Sequence, residues 1–249
     1  MVYDVSKDFK DAWGLEVHNA WLEYKLGLGY KLRIGHFDPY FGLEPYLDTH
    51  GTILQSLASK NIGFKSDWGA GFRWFYKYFD YETALQLGSG MSIKKKDGNF
   101  LYTQHIGKPQ ENNLSYGLSL LYGKVLRDSM SEMSMSDKPI LKKRIGLGAQ
   151  YLIRSLQFKG EIAYGKNDKR DVLGLFAEAD YTLPFLQTLE LEAQLQSWRE
   201  EMINDNLMDL TLALGLSYKF TSKITLRTAY FHNIDKNKQV FIQFYYFGN

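Results

Sequence analysis

The side chains best suited to chemistry in this 249-residue sequence are charged residues at alternate positions of long amphipathic runs. Charged side chains on the wall of a water-filled passage attract ions of one sign, because the low-dielectric wall focuses their field. The sequence therefore predicts a pore-lining set, which consists of Lys31, Arg33, Lys65, Arg73, Lys159, Glu161, Glu190, Glu192 and Arg227. Because both signs are present, an alternative stays open in which these residues pair on a hydrated wall and only stiffen it.

Catalytic chemistry is not indicated by the sequence. A hydrolase site needs a nucleophile, a histidine and an orienting polar group close together. The histidines are scattered and stand in no nucleophile motif: they are His18, His36, His50, His105 and His232. The chain has no cysteine, which removes disulfides and thiolate metal sites. We expect no catalytic residue, no metal site and no cofactor.

The element that must position the charged residues is a long β-strand, best seen in the stretch Asn61–Tyr78. Its even positions are mostly apolar or aromatic and its odd positions carry charge or glycine, and a period of two residues indicates a strand. Strands of soluble proteins usually run about 5–6 residues, whereas a bilayer-crossing strand needs roughly 9–11. A long strand with one apolar and one polar face suits a barrel wall between lipid and water.

The same alternation recurs along the chain and gives about thirteen strands from Gly14 onward, of which Phe100–Ile106 is the weakest. Short turns alternate with longer connections, among which we count Lys166–Arg170. The predicted fold is an all-β, transmembrane, antiparallel up-and-down β-barrel of about 14–16 strands when complete. We expect residues 1–13 to be an N-terminal segment or extracellular loop and residues 14–249 to be the barrel.

The odd strand count has a consequence, because single-chain bacterial barrels have even strand numbers with both ends on one side. We expect a further strand before Met1 or within residues 1–10, unless Phe100–Ile106 is wrongly assigned. The N-terminus also lacks the charged and apolar regions of a signal peptide. An exported chain would then be the mature form or begin inside a longer product.

The longest irregular stretch is Asp38–Ser59. Loops beyond about 12–15 residues are usually functional. We predict that this stretch folds into the barrel as a constriction loop, with Asp48 and His50 among its polar residues. An outer loop that shields the barrel mouth is an equally open alternative.

Composition excludes two classes of protein. The net charge is only +2 with 23% charged residues, far from the basic excess of a nucleic-acid binder. No window approaches about 18 consecutive apolar residues, so membrane-spanning helices are excluded. We expect no nucleic-acid partner.

The stretch Lys31–Glu44, which reads KLRIGHFDPYFGLE, resembles a segment of Gram-negative porins of the phosphate-selective O/P-like family. Ala20–Lys25, Lys60–Gly63 and Gln243–Phe247 are similar to the same group. The resemblance implies an outer-membrane barrel of about sixteen strands, often trimeric, that passes anions or small solutes. Family members are longer at the N-terminus, and here Gly248-Asn249 follow the closing aromatic. The family's phosphate-binding lysines and arginines find no position-by-position match.

These observations favour a porin of the bacterial outer membrane, a passive diffusion channel for small hydrophilic solutes or ions with a preference for anions as one option. The expected partners are outer-membrane lipid, the solutes or anions themselves, and further copies of the chain in a homotrimer. Two alternatives stay open: a structural barrel or conduit that encloses a partner protein and, less favoured, an outer-membrane barrel enzyme. A soluble all-β sandwich is disfavoured by the strand lengths.

Overall fold

The computed structural model describes residues 2–7, 13–47, 57–108, 112–126, 138–201, 206–234 and 238–246. These residues form a fourteen-stranded sheet. Its strands are β1 (Val2–Lys7), β2 (Trp13–Gly27), β3 (Tyr30–Phe37), β4 (Asp67–Phe75), β5 (Asp80–Gln86), β6 (Phe100–Gly107), β7 (Leu114–Val125), β8 (Ile140–Ile153), β9 (Leu156–Asn167), β10 (Arg170–Thr182), β11 (Leu189–Glu201), β12 (Asn206–Lys219), β13 (Ile224–Asn233) and β14 (Lys238–Tyr246).

Helix is confined to two single turns in these ranges, a 3-10 turn at Glu44–Tyr46 and α1 at Ala58–Asn61. Neither turn has the length and apolar character that a membrane-crossing helix requires, and no other helix occurs in the described part of the chain.

Each strand pairs antiparallel with its sequence neighbours, in the order β1 to β14. Tight turns enforce this order. At Gly27-Leu28-Gly29, Leu28 has a φ of 50° and Gly29 a φ of 83°, the left-handed conformation that two-residue hairpin turns need. The predicted all-β, antiparallel, up-and-down fold is confirmed.

Alternate residues of each strand lie on opposite faces of the sheet. In β7 the outward Leu118 and Leu120 are exposed, while the inward Ser119 and Leu121 are buried. The outward face is apolar and aromatic on most strands, as expected for a wall against lipid. The inward face carries most of the charged residues discussed below.

The strand β1 makes the number of described strands even, because thirteen others follow it. In an up-and-down sheet this places the start of β1 and the end of β14 at the same end of the sheet. We call that end the short-turn rim, since the tight turns Gly27–Gly29 and Arg154-Ser155 lie there, and the opposite end the long-loop rim. The weakest predicted strand, Phe100–Ile106, is confirmed as β6.

The long strand predicted over Asn61–Tyr78 is wrong at both ends, since β4 spans only Asp67–Phe75. The residues before β4 alternate in the same way but lie on the inner side of the sheet. There, Ile62 and Phe64 pack with Leu101 of β6. An alternating pattern of apolar and polar residues is therefore compatible with burial inside the barrel as well as with exposure to lipid.

The prediction that Lys166–Arg170 is one of the longer connections is also wrong. β9 continues to Asn167 and β10 begins at Arg170, so that Asp168-Lys169 form a two-residue turn. Asp168 has a φ of 53°, and aspartate tolerates this left-handed conformation better than most residues do.

Candidate functional site

Between β3 and β4 the chain turns toward the inner side of the sheet, and we call residues 38–47 and 57–66 the infolded segment. Its side chains Phe41, Leu43 and Ile62 are at most 4% exposed. Glycines of the wall make room for them: a Cβ on Gly146 would lie 3.0 Å from the Phe41 ring, and one on Gly148 would lie 3.0 Å from Leu43. Asp48 and His50 lie outside the described residues, and their place in a constriction stays a prediction.

Backbone N–H groups at the start of the infolded segment are paired with inward side chains of three strands. The donors and acceptors are Tyr40 N–H to Thr103 Oγ1 of β6 at 3.1 Å, Gly42 N–H to Ser119 Oγ of β7 at 3.2 Å, and Leu43 N–H to Glu161 Oε2 of β9 at 2.9 Å. A buried N–H group without a partner is costly. These bonds therefore hold the segment against the wall of β6 to β9.

The end of the infolded segment is tied to the same wall. Asn61 donates from Nδ2 to Glu161 Oε1 at 3.1 Å, and Lys142 Nζ donates to the carbonyl of Ile62 at 2.6 Å. The predicted pore-lining residue Glu161 thus lies on the inner wall, but both of its carboxylate oxygens accept hydrogen bonds from the infolded segment. Its role in the structure is to anchor that segment.

Two side chains of the infolded segment reach strands on either side of it. Tyr46 donates its hydroxyl to Glu82 of β5, and Lys60 forms an ion pair with Asp209 of β12. Burial, followed by the nearby Glu82 carboxylate, raises the pKa of Tyr46, so the hydroxyl keeps the proton that it donates. The segment therefore bridges the interior from β5 to β12.

Three of the predicted pore-lining cations, Lys31 and Arg33 of β3 and Arg73 of β4, meet the carboxylates of Glu23 and Glu82; we call these five residues the basic patch. Arg33 Nη2 lies 2.8 Å and Lys31 Nζ 3.4 Å from Glu23 oxygens. Arg73 lies 2.5 Å from Glu82 Oε1 and 3.4 Å from Glu23 Oε2. Three cations and two carboxylates leave an excess of positive charge.

Strand register explains why these residues meet. Arg33 lies opposite Glu23, and Arg73 lies opposite both Lys31 and Glu82 on its two neighbouring strands. Aromatic faces fix the guanidinium groups further: that of Arg33 lies 4.0 Å from the centre of the Trp21 ring. Such contacts are worth about 0.5–1 kcal/mol at exposed sites.

A second cluster on the inner wall, the acidic patch, consists of Lys159, Glu178, Asp180, Glu190 and Glu192. Lys159 of β9 lies 2.5 Å from Glu178 and 2.7 Å from Asp180, both on β10. On β11, Glu190 lies 3.4 Å from Lys219, and Glu192 accepts a hydrogen bond from Ser217 at 2.7 Å. Asp180 and Glu192 are direct cross-strand neighbours, and like charges at that spacing repel. The patch carries an excess of negative charge.

The two remaining predicted pore-lining residues are Arg227 and Lys65. Arg227 of β13 lies opposite Ser217 of β12, with its guanidinium 5.2 Å from the centre of the Tyr245 ring. Its Nε and Nη1 atoms have no hydrogen-bond partner within the described residues. Lys65 lies in the infolded segment next to the buried Phe64, not on a wall strand as predicted.

The basic and acidic patches lie on strands far apart in the sheet, β2 to β5 and β9 to β11. Both lie in the half of the wall near the short-turn rim, since Arg33 and Arg73 are close to the β2–β3 and β4–β5 turns, and Asp180 and Glu190 flank the β10–β11 turn. In a sheet curled into a barrel, the two patches face each other across the interior.

Sequence reasoning did not single out Thr103, Ser119 or Tyr46, which hold the infolded segment. Threonine and serine at inward positions of a strand form no motif, and Tyr46 lies in an irregular stretch. Their role as hydrogen-bond partners becomes visible only from the positions of these side chains in the folded structure.

No protein-family model and no curated protein matches the sequence. Solved structures do match the fold. Salmonella typhi OmpF in complex with daunomycin is 11% identical with a TM-score of 0.69, over 96% of this chain and 80% of that chain. The anion-selective porin from Comamonas acidovorans is 14% identical with a TM-score of 0.61, over 98% and 91%. In-vitro folded OmpT of Vibrio cholerae, in its trimer form, is 12% identical with a TM-score of 0.68, over 90% and 72%.

At these identities the similarity concerns the fold and not the sequence. The strand order, the apolar outward face and the three structural matches agree with one another. The chain therefore has the up-and-down β-barrel fold of Gram-negative outer-membrane porins.

Proposed function

We propose that the protein is a porin-like channel of the bacterial outer membrane, through which small hydrophilic solutes and ions diffuse passively. Residues 14–249 are proposed to be its membrane-spanning barrel, to which β1 (Val2–Lys7) adds a further strand. The observation that carries the proposal is the infolded segment, which is hydrogen-bonded to inward side chains of β5, β6, β7 and β9 and reaches Asp209 of β12. A chain segment bonded to the inner wall of a barrel narrows the passage permanently, without a conformational change.

Size selection follows from this arrangement. The infolded segment covers the inner wall from β5 to β11, where its residues Phe41, Leu43 and Ile62 are buried. Solutes would pass beside the segment, along the part of the inner wall near the short-turn rim that carries the basic and acidic patches. Water-filled passages lined by charge conduct hydrophilic solutes and exclude bulky apolar ones.

Charge selection depends on the two patches together. The basic patch faces the interior with Lys31 as its most exposed cation, at 29% side-chain exposure. The acidic patch presents an opposing field from the other side. A field across the passage orients dipolar and zwitterionic solutes, and the cations of the basic patch support a preference for anions.

The family and assembly belong to the same proposal. The stretch Lys31–Glu44 resembles the phosphate-selective O/P-like porins, and here it forms nearly all of β3 and the start of the infolded segment. One of the solved structures with this fold is described as a trimer form. We infer membership of that porin group and a homotrimer of this chain.

A conduit that encloses a partner protein fits the structure less well. The chain's own infolded segment covers the inner wall from β5 to β11. Three apolar clusters of buried side chains lie there, and a second protein would have to displace them.

The test is the conductance of the purified protein in a planar bilayer under a salt gradient. We expect discrete steps with a measurable reversal potential, and blockage of the current by neutral polymers only below a threshold size. The unfolded protein added at the same concentration is the control. A folded, heat-modifiable barrel that gives no current steps would overturn the channel proposal.

A further inference from the structure

The outward face of β7, β8 and β9 carries three exposed lysines near the long-loop rim. Each is the next outward position after an exposed apolar or aromatic residue, in the pairs Tyr122 and Lys124, Ile145 and Lys143, and Tyr164 and Lys166. Aromatic and basic residues at the end of an apolar band mark the level of the lipid head groups. These lysines therefore lie on the membrane-facing surface and do not face the interior.

Strand register brings the three lysines together. Lys143 and Lys166 are direct cross-strand neighbours, and Lys124 lies diagonally from Lys143 on the other side. Opposed side chains on one face have Cβ atoms about 4.5–5.5 Å apart, and diagonal neighbours about 7–8 Å. Like charges at this spacing destabilise a sheet unless an anion lies between them.

Within the described residues, one of the three lysines is paired with a carboxylate. Asp171 lies 3.2 Å from Lys166 and accepts a hydrogen bond from Tyr164 at 3.1 Å. Lys124 and Lys143 form no ion pair within the described residues, and Lys143 Nζ lies 5.6 Å from the centre of the Tyr122 ring. Asp171 therefore offsets Lys166, and Glu201 lies near Tyr164 on the same face, so the positive charge without an ion pair within the described residues is that of Lys124 and Lys143.

We propose that Lys124, Lys143 and Lys166, the lysine triad, bind the phosphate groups of membrane lipids at the long-loop side of the barrel. A lysine binds phosphate as a point charge. Its long stem lies along apolar surface while its ammonium group stays at the polar interface. A lipid supplies both parts, because its acyl chains cover the apolar band and its phosphate reaches the triad. The site uses the outer wall alone, so it is independent of whether the barrel conducts.

The test is native mass spectrometry of the detergent-solubilised protein with phosphatidic acid or with phosphatidylcholine of the same acyl chains. We expect the wild type to retain phosphatidic acid preferentially. The variant K124Q/K143Q/K166Q should lose affinity for phosphatidic acid by roughly fivefold per lysine removed. The matched control K77Q/K108Q/K223Q removes the same charge at the short-turn rim and should bind like the wild type. The variant K124R/K143R/K166R should also retain binding.

Three outcomes would overturn the proposal. They are equal retention of the two lipids by the wild type, equal losses in the triad and control variants, and displacement of phosphatidic acid by inorganic phosphate at the same concentration. The last result would assign the site to free anions. Heat-modifiable migration confirms that each variant is folded. If the triple glutamine variant does not fold, K143Q replaces it, and an unchanged affinity for phosphatidic acid would then reject the site.

Discussion

The side-chain amide of Asn61 donates a hydrogen bond to the carboxylate of Glu161 at 3.1 Å, joining residues that are 100 positions apart in the chain. The other oxygen of the same carboxylate accepts from the N–H of Leu43. One side chain of β9 thus holds both arms of the infolded segment. The position of that segment, and with it the width of the proposed passage, depends on Glu161.

Replacing Glu161 by alanine should release the infolded segment. The variant leaves the Leu43 N–H and the Asn61 amide without an acceptor, and a buried unpaired donor costs about 1–3 kcal/mol. We expect a lower free energy of unfolding in detergent and a larger, noisier single-channel conductance. Asp171→Ala is the control, since Asp171 pairs with Lys166 on the outward face and does not contact the segment. Conductance equal to that of the wild type would show that Glu161 is not an anchor.

Gly42→Ala tests the same contact from the opposite side. Gly42 has a φ of 73°, and a Cβ there would lie 2.7 Å from both carboxylate oxygens of Glu161. Gly98 is the matched control, because its φ is 69° but a Cβ would meet nothing within 4 Å. Left-handed backbone alone costs about 1–2 kcal/mol for a residue with a Cβ.

We therefore expect Gly98→Ala to lower the free energy of unfolding by about that amount, and Gly42→Ala to lower it further. Urea unfolding of both variants in detergent measures the difference. Equal destabilisation would mean that the Glu161 carboxylate moves aside without cost.

Neutralising Arg33 and Arg73 together should shift ion selectivity toward cations. In the variant R33Q/R73Q, Lys31 remains as the single cation of the basic patch against Glu23 and Glu82, so the sign of the local charge is reversed. The reversal potential under a salt gradient measures the shift. The variant R33K/R73K keeps the charge and should behave like the wild type. An unchanged reversal potential in R33Q/R73Q would exclude these arginines from the conducting path.

Arginine at Leu212 or Leu175 should destabilise the barrel by about 2–4 kcal/mol if these residues lie at the bilayer midplane. Both face outward and are 44% and 41% exposed. Gln196→Arg is the control, because Gln196 is on the inward face of β11. Unfolding in liposomes compares the three variants. A similar loss of stability at all three positions would mean that the outward face does not contact lipid while the inward face contacts water.

The fold could be predicted because the alternation of apolar and polar residues can be read within each strand, without knowledge of its neighbours. Leu118 and Leu120 alternate with Ser119 in polarity along the sequence, and in the sheet they alternate with it between the outward and the inward face. Alternation does not tell which side of the wall receives the apolar face. For that reason the pattern predicts Ile62 and Phe64 against lipid and Lys65 on the wall, whereas all three belong to the infolded segment.

The charged residues show a second limit of sequence reasoning. The inward phase of Lys31, Arg33 and Arg73 follows from the strand period. Their pairing with Glu23 and Glu82 follows from register between strands, which no stretch of the sequence specifies. The strand period predicts that the side chain of Glu161 points inward and lines the pore. Its hydrogen-bond partners, however, come from a segment about a hundred residues away in the chain.

The apolar cluster beneath the infolded segment has a consequence for the stability of the barrel wall. Its members are Phe41, Ile62, Phe64, Leu101, Leu121, Val125 and Ala163, and the last four belong to β6, β7 and β9. Without the segment, those strands would expose apolar side chains to lipid on one face and to water on the other. Covering these side chains stabilises the wall and the segment together, because apolar surface in contact with water is unfavourable. The segment and strands β6, β7 and β9 therefore share one apolar core, so a change that displaces the segment should also weaken the wall that it covers.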